Sequence, residues 1–332
     1  MKRAKLAFIP GPRIGHLVSA LQFSKRLLHC DDRLFITILR LKFPLFPDND
    51  AYTDSLVGSL SRVKLVHVSP VDPPPKELFK SPEYYVYAHT ESLVPLVRNA
   101  LTDIVSSHSN SETSQGDVVL VLDFFCMPMM DVANELGLPA YMFMTSNLGF
   151  LNGGYSAHVK LAQRFRQTKG IIVNSIEELE AHAVSSLNDG ETPPIYMVGP
   201  VLDYNGQPHP TMDQVQNYRI LQWLDEQPQF SVVFLCFGST ESFGASQLRE
   251  IASGLELSGH RFLWSIRVPQ PTTIDEILPE GFLERIGSKG MIFNEWAPQW
   301  EGLCLIVAGI PYWRAYGVGF PLQHGLLLQN SI

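Results

Sequence analysis

Short apolar runs alternate with helical segments along this chain, and that alternation constrains its fold more than any other feature. The runs are Leu6–Ile9, Phe35–Leu39, Val63–Val68, Val118–Leu122, Ala140–Met144, Ile171–Asn174 and Ile195–Val198. Strands covered on both faces read as unbroken apolar runs, and strands joined through helices must lie parallel, so the pattern predicts an α/β chain with a doubly wound sheet. Between the first two runs, Leu17, Leu21, Ser24 and Leu28 share one helical face, which returns the chain for a right-handed crossover. A Gly/Pro-rich passage, Gly199 to Pro210, then interrupts the alternation and reads as a linker. Beyond it the pattern resumes, with a helix over Asp213–Leu224, a strand over Val232–Phe237, a turn at Gly238–Thr240, a helix from Ser246 to Leu257 and a strand over Arg261–Ile266. About three βα units fit before the chain stops, roughly half of what an open sheet of this type carries.

At 332 residues and 45% hydrophobic content the chain can supply two cores. Its formal net charge of -8, without a run of Lys or Arg, argues against a nucleic-acid partner and for a small organic one. Cys30, Cys126, Cys236 and Cys304 are scattered without CxxC spacing, which points away from a zinc site or disulfide framework and toward a reducing cytoplasm. No run approaches the ~18 apolar residues of a membrane helix, and Leu6–Ile9 is too short for a signal segment. The expectation is a cytoplasmic monomer with neither a metal nor a membrane insertion.

Ligands of open α/β sheets collect at the carboxyl ends of strands, which directs attention to His16, Asp123 and the turn after Val232–Phe237. His16 follows the loop Pro10-Gly11-Pro12-Arg13-Ile14-Gly15 and titrates near neutral pH, which suits it to removing a proton from a hydroxyl. A lone histidine of this kind is more often a helix-start residue. Asp123 ends the Val118–Leu122 strand, where a carboxylate can fix a histidine tautomer, although strand-end aspartates are commonly helix caps. Gly238, Ser239 and Thr240 offer backbone N–H groups and hydroxyls to a diphosphate, a weak signal because Gly-Ser turns are ordinary. No G-x-G-x-x-G or P-loop spacing follows a strand, so the nicotinamide-dependent oxidoreductase alternative lacks its usual support.

Several strings together resemble the plant family 1 UDP-glycosyltransferases. They include Phe8-Ile9-Pro10 with Gly15-His16-Leu17, Leu122-Asp123-Phe124-Phe125, Thr145-Ser146-Asn147, Ile171-Ile172-Val173-Asn174-Ser175, Met197-Val198-Gly199-Pro200, Phe234-Leu235-Cys236-Phe237-Gly238-Ser239, Gly259-His260-Arg261-Phe262-Leu263-Trp264 and Trp296-Ala297-Pro298-Gln299. The resemblance spans residues 1–299 and implies the GT-B fold, two Rossmann-like domains of which the second is incomplete. It implies that His16 is the general base, that Asp123 orients it, and that a small-molecule hydroxyl of the phenolic, flavonoid or terpenoid class attacks the sugar with inversion. It further implies that Trp296 stacks on uracil with Ala297 and Gln299 nearby, that Gly238 and Ser239 approach the diphosphate, and that Thr145 meets the sugar. The co-substrate would be a UDP-sugar, in such families most often UDP-glucose, with no resident cofactor.

Three departures from the family pattern stand out. After Trp296-Ala297-Pro298-Gln299 the family continues into a box such as VGGFVSHCGWNS, whereas this chain reads Trp300 to Pro311 as WEGLCLIVAGIP. Codons chosen for the family box and read one base out of register translate to that observed stretch, so residues 300–332 read as an out-of-frame tail. Between Phe150 and Asn152 the resemblance skips a few dozen residues that lie beside the family's acceptor pocket. Glu241 stands where relatives carry a small residue beside the diphosphate, and a carboxylate there would repel the phosphates. The expected organisation is an acceptor-side domain at 1–198, a linker at 199–215, a partial UDP-sugar domain at 216–299 and the aberrant tail, giving a transferase by descent that is impaired or inactive, with a non-catalytic acceptor-binding fragment as the alternative.

Overall fold

The structure, a computed structural model, describes residues 4–43, 50–58, 60–80, 82–106, 118–145, 148, 163–201, 213–237, 243–266, 268 and 272–294. Gly238, Ser239, Glu241, Trp296, Ala297, Gln299, the 150–152 junction and the tail at 300–332 lie outside the described residues. The chain divides into two compact units, Met1–Asp203 and Tyr204–Ile332.

The first unit is built on a seven-stranded sheet of order β3-β2-β1-β4-β5-β6-β7. Its strands are β1 (Ala4–Ile9), β2 (Leu34–Arg40), β3 (Val63–His67), β4 (Val118–Asp123), β5 (Ala140–Met144), β6 (Ile171–Val173) and β7 (Ile195–Met197). Every adjacent pair is parallel. Helices α1 (Ile14–Cys30), α2 (Asp50–Gly58), α3 (Pro82–Ser106), α4 (Met130–Glu135) and α5 (Glu177–Leu187) make the crossovers. Successive side chains of a strand point to opposite faces, and β1 shows the consequence. Ala7 and Ile9 join a core with Val97 and Leu101 of α3, while Phe8 joins another with Leu17, Ala20 and Leu21 of α1. Both faces are covered, which is why the strands read as continuous apolar runs.

Strand order reverses between β1 and β4, which pair in register from Lys5↔Val118 to Ile9↔Leu122. From β1 the sheet grows through β2 in one direction and from β4 through β5 in the other. The two loops leaving β1 and β4 therefore part to opposite faces and open a crevice at the carboxyl edge. Beyond β7 the chain stays tied to this unit: the Arg26 guanidinium donates to the carbonyls of Val198 and Pro200 at 3.3 and 2.8 Å, and Asn174 Oδ1 accepts from the Val201 N–H at 2.5 Å.

The second unit carries a three-stranded parallel sheet of order β10-β9-β8, made of β8 (Val232–Cys236), β9 (Arg261–Ser265) and β10 (Gly290–Phe293). Helices α6 (Gln214–Asp225), α7 (Ala245–Ser258), α8 (Ile274–Ile277) and α9 (Phe282–Ile286) accompany it. Asp213 caps α6 by accepting the Val215 N–H, and Gly259 ends α7 at φ +66°, a left-handed conformation that glycine adopts without strain. Phe262 and Trp264 of β9 pack against Leu248 and Ala252 of α7, while Leu263 faces Ile220 and Leu224 of α6. The sheet is again covered on both sides. The short strand β10 and the long helix α3 are elements that the apolar-run pattern did not single out.

Candidate active site

His16 lies in the first turn of α1, immediately beyond β1, and Asp123 is the last residue of β4. Because β1 and β4 are neighbours, the two side chains project into the same crevice. His16 Nδ1 and Asp123 Oδ2 are 2.7 Å apart. The other carboxylate oxygen, Oδ1, accepts the Phe125 N–H at 3.0 Å and caps the 3₁₀ turn Phe124–Met129. One carboxylate thus serves both roles raised by its position, helix cap and histidine partner, through different oxygens.

The hydrogen-bond pattern fixes the imidazole's protonation. A carboxylate at 2.7 Å from a bare ring nitrogen would set two acceptors against each other, so Nδ1 carries the proton and donates it to Asp123. Nε2 has no hydrogen bond to any other described residue and is left as the basic nitrogen. The Asp123 side chain is 2% exposed and that of His16 is 17% exposed, so the orienting group is dry and the base is reachable. Burial lowers the imidazole's affinity for a proton, as does the charge of Arg13. The charge and hydrogen bond of Asp123 outweigh both, and the pKa is raised above its ordinary 6.5.

Two further groups shape the dyad. The Phe125 ring meets the imidazole edge-on, with centroids 5.6 Å apart and planes at 67°, and walls one side of it. Gly11 runs beneath both partners: a Cβ there would lie 2.7 Å from Asp123 Oδ1 and 2.9 Å from His16 Nδ1. Only glycine lets the backbone pass this close. Sequence reasoning placed Gly11 in the loop without a role; its signal is the Pro-Gly-Pro string directly at the strand end. Thr145 follows β5 and sits with its Oγ1 2.9 Å from His16 Nδ1, so the structure brings together three of the residues singled out in the sequence. The five expected around the nucleotide are among those outside the described residues.

Comparison with known proteins bears on what this arrangement does. No family model matches the chain. UDP-glycosyltransferase 71K2 of Pyrus communis is 44% identical over 366 residues, covering 93% of this chain and 76% of the relative. The chain belongs to the plant family 1 UDP-glycosyltransferases. Flavonol 3-O-glucosyltransferase UGT71C4 of Arabidopsis thaliana is 37% identical over 91% of this chain and 74% of its own length. Among solved structures, that of Medicago truncatula UGT71G1 complexed with UDP-glucose superposes with a TM-score of 0.81 at 44% identity, covering 91% of this chain and 73% of that one. Both sheets are therefore parts of a GT-B glycosyltransferase, and the nicotinamide alternative is set aside.

Proposed function

We propose that this glycosyltransferase activates a hydroxyl of a small plant phenolic, flavonols being the leading class, with His16 as general base and Asp123 as its orienting partner. The observation that carries this reading is the 2.7 Å contact between His16 Nδ1 and Asp123 Oδ2 at the switch point of the sheet. The acceptor O–H gives its proton to His16 Nε2 while its oxygen forms a bond to the anomeric carbon. The bond from that carbon to the UDP oxygen breaks, and UDP leaves with the electron pair. The positive charge gained by the imidazole is stabilised by the Asp123 carboxylate.

UDP-glucose is the donor we favour, since UGT71G1 was solved with it. Thr145 would meet the sugar, Gly238 and Ser239 the diphosphate, and Trp296, Ala297 and Gln299 the uracil. The proposed organisation is an acceptor-side domain at 1–198, a linker at 199–215, a partial donor domain at 216–299 and an out-of-frame tail, in a cytoplasmic monomer. The match to 71K2 runs over 366 residues against the chain's 332, which supports a segment missing from this chain and fits the deletion near residue 151. A donor box replaced by the tail predicts slower transfer than by the Pyrus communis relative. Reading the transcript in the alternate frame tests the tail: a glycosyltransferase box should appear there, and its absence would reject the frame shift.

Calorimetric titration with UDP-glucose and with a flavonol, followed by mass spectrometry of the products, tests the function. Binding of both with formation of a glucoside is the expected result. Binding of the flavonol alone would make the chain an acceptor-binding protein, and binding of neither would overturn the reading.

A further inference from the structure

We infer that Thr145 is a positioning residue for the base, acting on His16 through the same nitrogen that Asp123 holds. This rests on the reading of His16 as the base. Thr145 Oγ1 lies 2.9 Å from His16 Nδ1, beside the 2.7 Å contact of Asp123 Oδ2 to that atom. Two oxygens converge on one nitrogen, and the proton count settles what each does. The carboxylate can only accept, so Nδ1 must be the donor, and the threonine oxygen must face the N–H with a lone pair. The N–H is shared between a charged acceptor and a neutral one.

Two consequences follow. The imidazolium N–H is a stronger donor than the neutral one, so a second acceptor favours the protonated ring and strengthens Nε2 as a base. Two acceptors on strand ends β4 and β5 also fix the ring plane more narrowly than one, because rotation that improves one contact lengthens the other. The hydroxyl hydrogen of Thr145, excluded from Nδ1, is directed away from the imidazole. The residue thus presents an acceptor to the base and a donor to whatever oxygen lies on its other side. If Thr145 also meets the sugar, that contact and the basicity of His16 are linked through a single hydroxyl.

The test uses full-length chain labelled with ¹⁵N at histidine, with the His16 resonances identified by their loss in His16→Gln. The midpoint of the His16 titration should move to lower pH in Thr145→Val and return toward wild type in Thr145→Ser, which keeps the hydroxyl. A purely structural role would not distinguish valine from serine in this way. If Thr145→Val does not fold, Thr145→Ala takes its place with the same expected shift. A valine or alanine variant titrating like wild type, or a serine variant titrating like the valine one, would overturn the inference. The readout needs no turnover, so loss of UDP-glucose binding, which would count against the proposed function, leaves this result to be judged separately.

Discussion

Asp123 divides its two oxygens between backbone and imidazole, and each replacement of it should separate those duties. In Asp123→Asn the amide oxygen can still accept the Phe125 N–H, while the NH₂ faces Nδ1 as a donor. The turn should survive, but the proton should shift to Nε2, where it blocks the base. We expect any glucosyl transfer to fall by roughly a thousandfold or more, as when a triad aspartate is amidated. Carbethoxylation of His16, followed by peptide mass spectrometry, should meanwhile show its pH midpoint moving lower, because the charge that raises the pKa is gone. An unchanged midpoint would break the assigned coupling. In the wild type, transfer should rise with pH through a midpoint above 6.5 as the base form appears. Stability has the opposite sign: the protonated pair stabilises the fold fully below 6.5, and that contribution is lost as pH rises through the raised value. Gly11→Ala would set a methyl 2.7 Å from Asp123 Oδ1 and should cost about 1–3 kcal/mol in urea unfolding while parting the dyad. His16 and Asp123 were legible because strand ends collect ligands. Gly11 was not, since a close approach depends on where distant residues fold back.

The strands were legible for a simple reason: a parallel strand buried on both faces has to be apolar throughout, and the runs at β1, β2, β4 and β5 show it. β10 has a burial pattern of three half-buried residues and one buried, and Gly290 opens it, so its residues carry no comparable signal. The α3 helix escaped for another reason, since Tyr85, His89 and Thr90 are all fully buried in it and dilute the apolar periodicity with polar types. Within α1 the buried face is apolar but for Ser24, and Leu17 is fully buried in the same core as Phe8 and Leu21. Leu17→Ala should therefore cost about 2–5 kcal/mol in denaturant unfolding, whereas Leu257→Ala in α7, 87% exposed, should stay within about 0.5 kcal/mol. Equal costs for the two would mean that the α1 face does not pack as described.

Among the described residues the two units differ in sheet size, seven strands against three, and a smaller core is expected to bury less apolar surface per residue ordered. All tryptophans of the chain, Trp223, Trp264, Trp296, Trp300 and Trp313, lie in the second unit, while the first has none. Tryptophan fluorescence thus reports the second unit alone. In a urea titration it should change before the far-ultraviolet circular dichroism is lost, and limited proteolysis should cut after residue 203 first. Coincident transitions would show that the units unfold together. Little in the sequence gives the relative stability of two such halves, because it depends on how many strands close each sheet rather than on any local pattern. The β1–β4 switch point has a last consequence. The imidazole follows β1 in the first turn of α1, its carboxylate ends β4 and the threonine hydroxyl follows β5, so all three groups of the proposed proton abstraction belong to the first unit. On the proposed mechanism, exchanging the second half of the gene would change the electrophile delivered and leave the base and its two partners in place.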